Sequence, residues 1–163
     1  MADDGHNTIT GARLAQATGV SLDAIRTWRT RGLIPQAGRN WTFDEAVRTI
    51  VMAKMATRSA PLKRAAELAC DIHKMIRPSI ALSRTSDCVV AVLRHVDGGD
   101  AIWGTDSNST GGAWGSLMRT IEDERMRRGI DTLLVVDLRH DLRRVIALFG
   151  AAEAETQEET HDR

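Results

Sequence analysis

Residues 10–35 read TGARLAQATGVSLDAIRTWRTRGLIP, and this stretch decides the fold that we expect for the first part of the chain. Its pattern predicts two short helices, at about 11–17 and 22–31, with Thr10 and Ser21 able to cap their first turns. Gly19, between the helices, can take the left-handed backbone conformation of a tight turn. Apolar residues fall where two crossed helices must bury them: Leu14, Val20, Ile25 and Trp28. A helix-turn-helix is therefore expected, and an ordinary helical hairpin with a basic solvated face is the alternative.

The residues that follow predict a winged form of this motif. Gly32 and Pro35 are suited to end the second helix. Residues 36–41, QAGRNW, are polar and turn-forming, and we expect a small hairpin, or wing, with Arg39 near its tip. Two further helices should follow, one starting at the capping-box sequence TFDE of residues 42–45 and one from Pro61 to just before Pro78.

The second half of the chain has a different pattern, after an expected linker at 78–86. Its apolar runs and turn residues predict the order β-β-α-β-α, with strands at 88–95, 101–104 and 132–138 and helices at 113–128 and 141–152. The strand at 132–138, TLLVVDL, is almost continuously apolar and is expected to be buried. Residues 153–163 are acidic and lack large apolar groups, so we expect them to be disordered. The predicted fold class is α+β.

Charge is divided unevenly along the 163 residues, although the formal net charge is zero. Residues 1–85 carry 13 Lys and Arg against 7 Asp and Glu, a net of +6, whereas residues 86–163 carry 9 against 15, a net of −6. The first part is thus suited to a polyanion and the second is not. The polar N-terminus, MADDGHNT, and the lack of a long apolar run favour a cytoplasmic protein, which would be nucleoid-associated if its basic part binds DNA.

Residues 20–35 resemble the recognition segment of the MerR family of bacterial transcriptional regulators. The matching elements are Val20-Ser21, then Ile25-Arg26-Thr27-Trp28, then Arg31-Gly32-Leu33-Ile34-Pro35. The resemblance extends over about residues 9–76, and it implies a winged helix-turn-helix that binds double-stranded DNA. Trp28 stands where the family usually has tyrosine, and Thr27 replaces a second common aromatic. Excisionases and small phage DNA-packaging subunits share this domain, so the match specifies DNA binding better than it specifies transcription.

The expected DNA contacts lie on the second helix, at its ends and on the wing. Arginine can pair with guanine or clamp a phosphate, and the resemblance places Arg26 and Trp28 near the groove edge. Trp28 also occupies a core position, and we favour core packing for it. The whole candidate set comprises Arg13, Ser21, Arg26, Thr27, Trp28, Arg29, Arg31 and Arg39.

The second half resembles no family that we recognise, and it is the better candidate for self-association. MerR-like regulators commonly continue into a long antiparallel dimerisation helix, and Pro78 is expected to prevent one here. The small sheet predicted for 87–152 would have an exposed edge that could pair with a second copy. The large apolar residues expected near that core or interface are Trp103, Trp114 and Phe149.

Enzyme, metal and cofactor sites are not expected. The glycine-rich stretch Ser109–Gly115 lacks the lysine of a phosphate-binding loop. Cys70 and His73 have a spacing that permits two metal ligands, but two are too few for a site. Cys88 keeps a metal-sensing alternative open.

These observations predict a homodimeric, sequence-specific transcriptional regulator that binds an inverted-repeat operator. The expected domains are 1–77 for DNA binding, a linker at 78–86, 87–152 for dimerisation or partner binding, and a tail at 153–163. Two alternatives remain: a phage or mobile-element architectural protein, and a protein-interaction adaptor localised by its DNA-binding domain.

Overall fold

The computed structural model describes residues 8–35, 38–57, 61–81, 88–104 and 112–161. It is a mixed α and β protein with small antiparallel sheets, as the predicted class requires. Two compact units are present: a helical unit of Met1–Cys70 with Asp141–Arg163, and a sheet unit of Asp71–His140. The elements in chain order are β1 (Thr8–Ile9), α1 (Gly11–Thr18), α2 (Leu22–Thr30), β2 (Trp41–Thr42), α3 (Phe43–Ala56), α4 (Leu62–Ala81), β3 (Val89–His95), β4 (Asp100–Gly104), α5 (Gly112–Arg128), β5 (Ile130–Asp137) and α6 (Arg139–His161).

The first two helices form where the sequence predicts them. The Thr10 and Ser21 hydroxyls accept hydrogen bonds from the backbone N–H groups of Arg13 (3.4 Å) and Ala24 (3.2 Å), so both predicted caps are confirmed. Gly19 has φ 70° and donates its N–H to the Ala15 carbonyl, which ends α1 in a left-handed turn. The expected turn is therefore present.

The segment predicted to be a wing pairs differently from the expected hairpin. Within the described residues, β2 pairs with β1 near the start of the chain, in the antiparallel register Thr8↔Thr42 and Ile9↔Trp41. Thr8 thus belongs to a strand although the polar N-terminal sequence gives no sign of one, and residues 1–7 and 36–37 lie outside the described residues. Trp41 is buried at 2% exposure, which favours this pairing because its indole leaves water.

The third and fourth helices begin as predicted, but the fourth ends later. The capping box at the start of α3 is complete, with the Thr42 and Glu45 side chains each accepting from the other residue's backbone N–H. Helix α4 continues through Pro78 to Ala81, so the expected end before Pro78 is wrong. Pro78 removes one helix hydrogen bond, but it is exposed, and water can satisfy the carbonyl that it leaves open. Residues 82–87 of the expected linker lie outside the described residues.

Helix α6 packs in the helical unit, whereas the sequence analysis assigned it to the second half. Phe149 meets Phe43 edge-on, with ring centroids 5.3 Å apart. The Lys54 ammonium lies 3.0 Å from the Asp141 carboxylate, and Arg144 donates to the Gln16 carbonyl. The helix also runs on to His161, through most of the segment expected to be disordered. Alanine and glutamate are good helix formers, and extending an existing helix is easier than starting one.

The sheet unit contains a three-stranded antiparallel sheet in the order β4-β3-β5. Its elements follow the predicted β-β-α order and then β5. Side chains of β3 pack against α5 in a core formed by Val89, Ala91, Leu93, Leu117 and Ile121. The prediction that the strand at 132–138 is buried is confirmed at Val136 and Leu138, which are fully buried, and is wrong at Thr132 and Leu133, which are exposed. This strand, β5, lies at the edge of the sheet.

Candidate nucleic-acid interface

Helix α2 has one buried face and one exposed polar face. Ile25 is fully buried and Trp28 is 9% exposed, so both anchor the helix in the core of the helical unit. Arg26, Thr27 and Thr30 are exposed. The core position of Trp28 agrees with the packing role favoured for it. The side chains left to meet a ligand are therefore arginine and threonine, with the exposed carboxylate of Asp23 beside them.

The hydroxyls of the exposed threonines bond back to backbone carbonyls of the helix. The Thr27 hydroxyl donates to the Asp23 carbonyl at 2.8 Å, and the Thr30 hydroxyl donates to the Arg26 carbonyl at 3.0 Å. Each oxygen retains lone pairs that can accept a hydrogen bond from outside. Ser21 is similarly engaged, because its hydroxyl caps the helix. Because these hydroxyls are already engaged, the arginines of this surface are better hydrogen-bond donors to a base or a phosphate than the threonines and Ser21 are.

Arg26 is held only loosely in place. Its guanidinium lies 3.5 Å from the Asp23 carboxylate, and the two side chains are 68% and 91% exposed. An exposed pair of this kind contributes about 0–1 kcal/mol, because solvent screens both charges. Arg26 can therefore leave Asp23 for a phosphate or a guanine at small cost.

Arg29 is engaged within the protein. Its guanidinium carbon lies 4.5 Å from the centre of the Trp41 ring, and a terminal nitrogen donates to the Gly38 carbonyl. Its Nε is buried and makes no hydrogen bond within the described part of the chain. Arg29 was expected from the sequence as a DNA contact. Local spacing gives no sign of these two partners, which lie 9 and 12 residues further along the chain.

The remaining candidates lie at the two ends of this surface. Arg31 is exposed and is the C-terminal cap residue of α2. Arg39 is exposed in a bend just before β2, beside the residue to which Arg29 is bonded. Arg13 is half-buried on α1. The fold thus places four of the candidates on or beside α2: Ser21, Arg26, Arg29 and Arg31. The hydrogen bond from Arg29 to the Gly38 carbonyl connects the segment of Arg39 to the same helix.

The three residues expected at a dimer interface lie in different settings. Trp103 and Trp114 are 39% and 43% exposed in the sheet unit. Phe149 is 6% exposed and belongs to the core of the helical unit, against Phe43. The structure therefore leaves the two tryptophans at a surface and removes Phe149 from it.

The described residues contain neither a metal-binding cluster nor a membrane-spanning helix. No group of three or more His, Cys, Asp and Glu is placed to hold a metal ion in the part of the chain that the structure describes. Cys70 is half-buried, whereas His73 and Cys88 are buried. Residues 109–111 of the glycine-rich stretch Ser109–Gly115 fall outside the described ranges, and the rest of the stretch begins α5. Each described helix is too short or too polar to span a lipid bilayer.

No protein-family model matches this sequence, and no curated protein matches it closely enough to count as similar.

Proposed function

We propose that this protein binds double-stranded DNA in a sequence-specific manner, with α2 as the helix that enters the major groove. The observation that carries the proposal is the division of α2 into a buried anchor, Ile25 and Trp28, and an exposed face bearing Arg26 and Thr27. A recognition helix needs both features, because the core fixes its orientation while its outer side chains contact base edges. The capped turn before it and the MerR-like sequence of residues 20–35 support the same function.

The chemistry of the exposed face suits a duplex. Arg26 can donate two hydrogen bonds to O6 and N7 of a guanine, and Thr27 can contact a base edge or a thymine methyl. Arg31 and Arg39, at the helix end and in the bend before β2, are placed to neutralise phosphates. Residues 1–70 of the helical unit carry 10 Lys and Arg against 6 Asp and Glu, whereas residues 141–163 of the same unit carry 3 against 6, so the attraction for a polyanion comes from the N-terminal part of this unit.

Selection from a pool of random duplexes tests this proposal without knowledge of the natural site. Full-length protein is expected to enrich a short motif and to bind it much more tightly than a scrambled duplex. Arg26→Ala should weaken binding to the selected motif by about 1–3 kcal/mol, the usual value of a bidentate arginine–guanine contact.

Arg125→Ala is the matched control for this experiment. Arg125 is 67% exposed on α5 and lies 3.6 Å from Glu122, so it repeats the exposure and the i,i+3 pairing of Arg26. Its loss should leave DNA affinity unchanged. Failure to enrich any motif, or equal losses in both variants, would contradict the proposal.

We further propose that the protein acts as a homodimer through β5 of the sheet unit. This eight-residue strand pairs on one side with β3, and no strand is paired with its other side among the described residues. Leu133 is 43% exposed on it. An exposed apolar edge strand readily pairs with a second strand, and a two-fold dimer would read two half-sites of an inverted repeat.

Sedimentation of the full chain tests the dimer. Leu133→Lys should shift the protein towards monomer, because it places a charge at the edge, whereas Met126→Lys, at a more exposed residue of α5, should not. The full chain is needed because α6 packs with the N-terminal helices, so a fragment ending near residue 77 would lose part of their core. A wild-type monomer at micromolar concentration would rule out this interface.

The pattern of protected sites distinguishes a regulator from an architectural protein. A transcriptional regulator of bacterial or phage origin should protect a short inverted repeat near a promoter. An excisionase-like or packaging factor should protect several phased or direct repeats. Footprinting on genomic fragments that contain the selected motif decides between them.

A further inference from the structure

The segment Gly38–Trp41 is held between β1 and α2. On one side, Trp41 pairs with Ile9 across the small sheet, and the Asn40 amide donates to the Thr8 hydroxyl at 3.3 Å. On the other side, Arg29 stacks over the Trp41 ring and donates to the Gly38 carbonyl. Arg29 therefore contacts both ends of the segment Gly38–Trp41, which contains Arg39.

A guanidinium is suited to this position because it is planar and weakly hydrated. Stacking over an indole uses the attraction between the cation and the π face, while the edge of the same group donates to a carbonyl. Burial of Nε without a hydrogen bond in the described residues is tolerable, because the charge is delocalised over the whole group. A lysine ammonium has no planar face and could make only one of these two contacts well.

We propose that Arg29 is a positioning residue that fixes the segment of Arg39 relative to the recognition helix. This inference rests on the DNA-binding function proposed above, and it changes the role of one arginine in it. Arg26 and Arg31 contact the duplex directly, whereas Arg29 sets the place from which Arg39 reaches a phosphate. One face of the Arg29 guanidinium lies on Trp41 and one terminal nitrogen donates to the Gly38 carbonyl, so fewer of its donors remain for DNA.

Hydrogen exchange of the free protein tests the contact itself. Arg29→Lys retains the charge and loses the planar group, so the amides of residues 38–41 should exchange faster than in wild type. The amides of α1 and of the middle of α3 should keep their protection, because the residues of their core are unchanged. Unaltered exchange at residues 38–41 would overturn the proposal.

A double-mutant cycle on the selected duplex tests the positioning role. Arg39→Ala should weaken binding about fivefold in wild type and less than about twofold in the Arg29→Lys background, because groups that depend on each other give non-additive effects. Arg26→Ala serves as the control and should cost the same factor in both backgrounds.

The outcomes of the two measurements are separable. Equal effects of Arg39→Ala in the two backgrounds would overturn the positioning role and return Arg29 to the direct contacts. If the wild-type protein selects no duplex, the proposed function fails, whereas exchange at residues 38–41 still decides whether Arg29 holds the segment. Thermal unfolding of Arg29→Lys checks that the fold survives. In Trp41→Phe, which keeps an aromatic face under Arg29, the amides of residues 38–41 should exchange more slowly than they do in Arg29→Lys.

Discussion

Two arginines of the sheet unit are held by carboxylates more firmly than Arg26 of the helical unit is. In the sheet unit, Arg128 donates to the Asp97 carboxylate through two nitrogens at 3.0 and 2.6 Å. Arg139 holds Asp137 in the same manner at 2.9 and 2.6 Å. In the helical unit, Arg26 has only a loose carboxylate partner. The comparison teaches that the number of arginines does not define a surface for a polyanion; what matters is how firmly carboxylates already hold them.

Proton binding reflects the same difference. The pKa of Asp97 is lowered, first by the hydrogen bond from the Gly99 backbone N–H and then by the Arg128 guanidinium. The pKa of Arg139 is raised by its hydrogen bond with Asp137 and by the charge of that carboxylate. These arginines of the sheet unit are committed to carboxylates, and a phosphate would have to displace them.

The largest expected effect separates the tryptophans of the two units. Trp28→Ala should lower the free energy of unfolding by about 3–5 kcal/mol, because it empties a large volume of the helical core. Trp114→Ala should change it by less than about 0.5 kcal/mol if this exposed side chain packs against nothing else. Urea denaturation of both variants measures the difference. If Trp114→Ala lowers the free energy of unfolding by more than about 0.5 kcal/mol, the Trp114 ring is covered by another surface, as at a subunit interface.

The sequence could predict the parts of the candidate site that depend on neighbouring residues. Gly19 and Ser21 form the turn and the cap because both interactions close within four residues. The buried anchors of α2 also follow from local spacing, since helical periodicity places Ile25 and Trp28 on one face. The exposed arginine and threonine face could therefore be predicted from residues 20–31 alone.

The parts that depend on distant partners could not be predicted. Trp41 pairs with Ile9 across 32 residues, and hairpin-like turn residues at 36–41 gave no sign of that partner. Phe149 packs on Phe43, more than 100 residues away in the sequence. Helical periodicity predicts that each ring is buried, but it does not indicate which element covers the ring. Local patterns specify which face is apolar, but tertiary packing decides what covers it.

The second expected effect sharpens the contrast between free and committed arginines. Arg39→Ala should reduce the slope of log affinity against log salt by about 0.9, because one phosphate contact is lost. Arg128→Ala should leave the slope unchanged, since this guanidinium is bonded to Asp97. Salt titration of a labelled duplex measures both slopes. An equal decrease in both variants would show that the sheet unit also contacts phosphates.

The smallest expected effect concerns the carboxylate that Arg128 holds. Because the pKa of Asp97 in the folded protein lies below its ordinary value, ionised Asp97 favours folding. This contribution is fully present above the ordinary pKa of about 4 and is lost as the pH falls through the lower folded value. The unfolding midpoint of wild type should therefore exceed that of Asp97→Asn at pH 6, and the gap should narrow below about pH 4. Asp23→Asn is the control from the helical unit: its carboxylate, in the first turn of α2, makes a loose, exposed pair with Arg26, so the change in its midpoint should be smaller at pH 6. A gap for Asp97→Asn that stays constant down to pH 3 would mean that the turn requires the shape of the aspartate and not its charge.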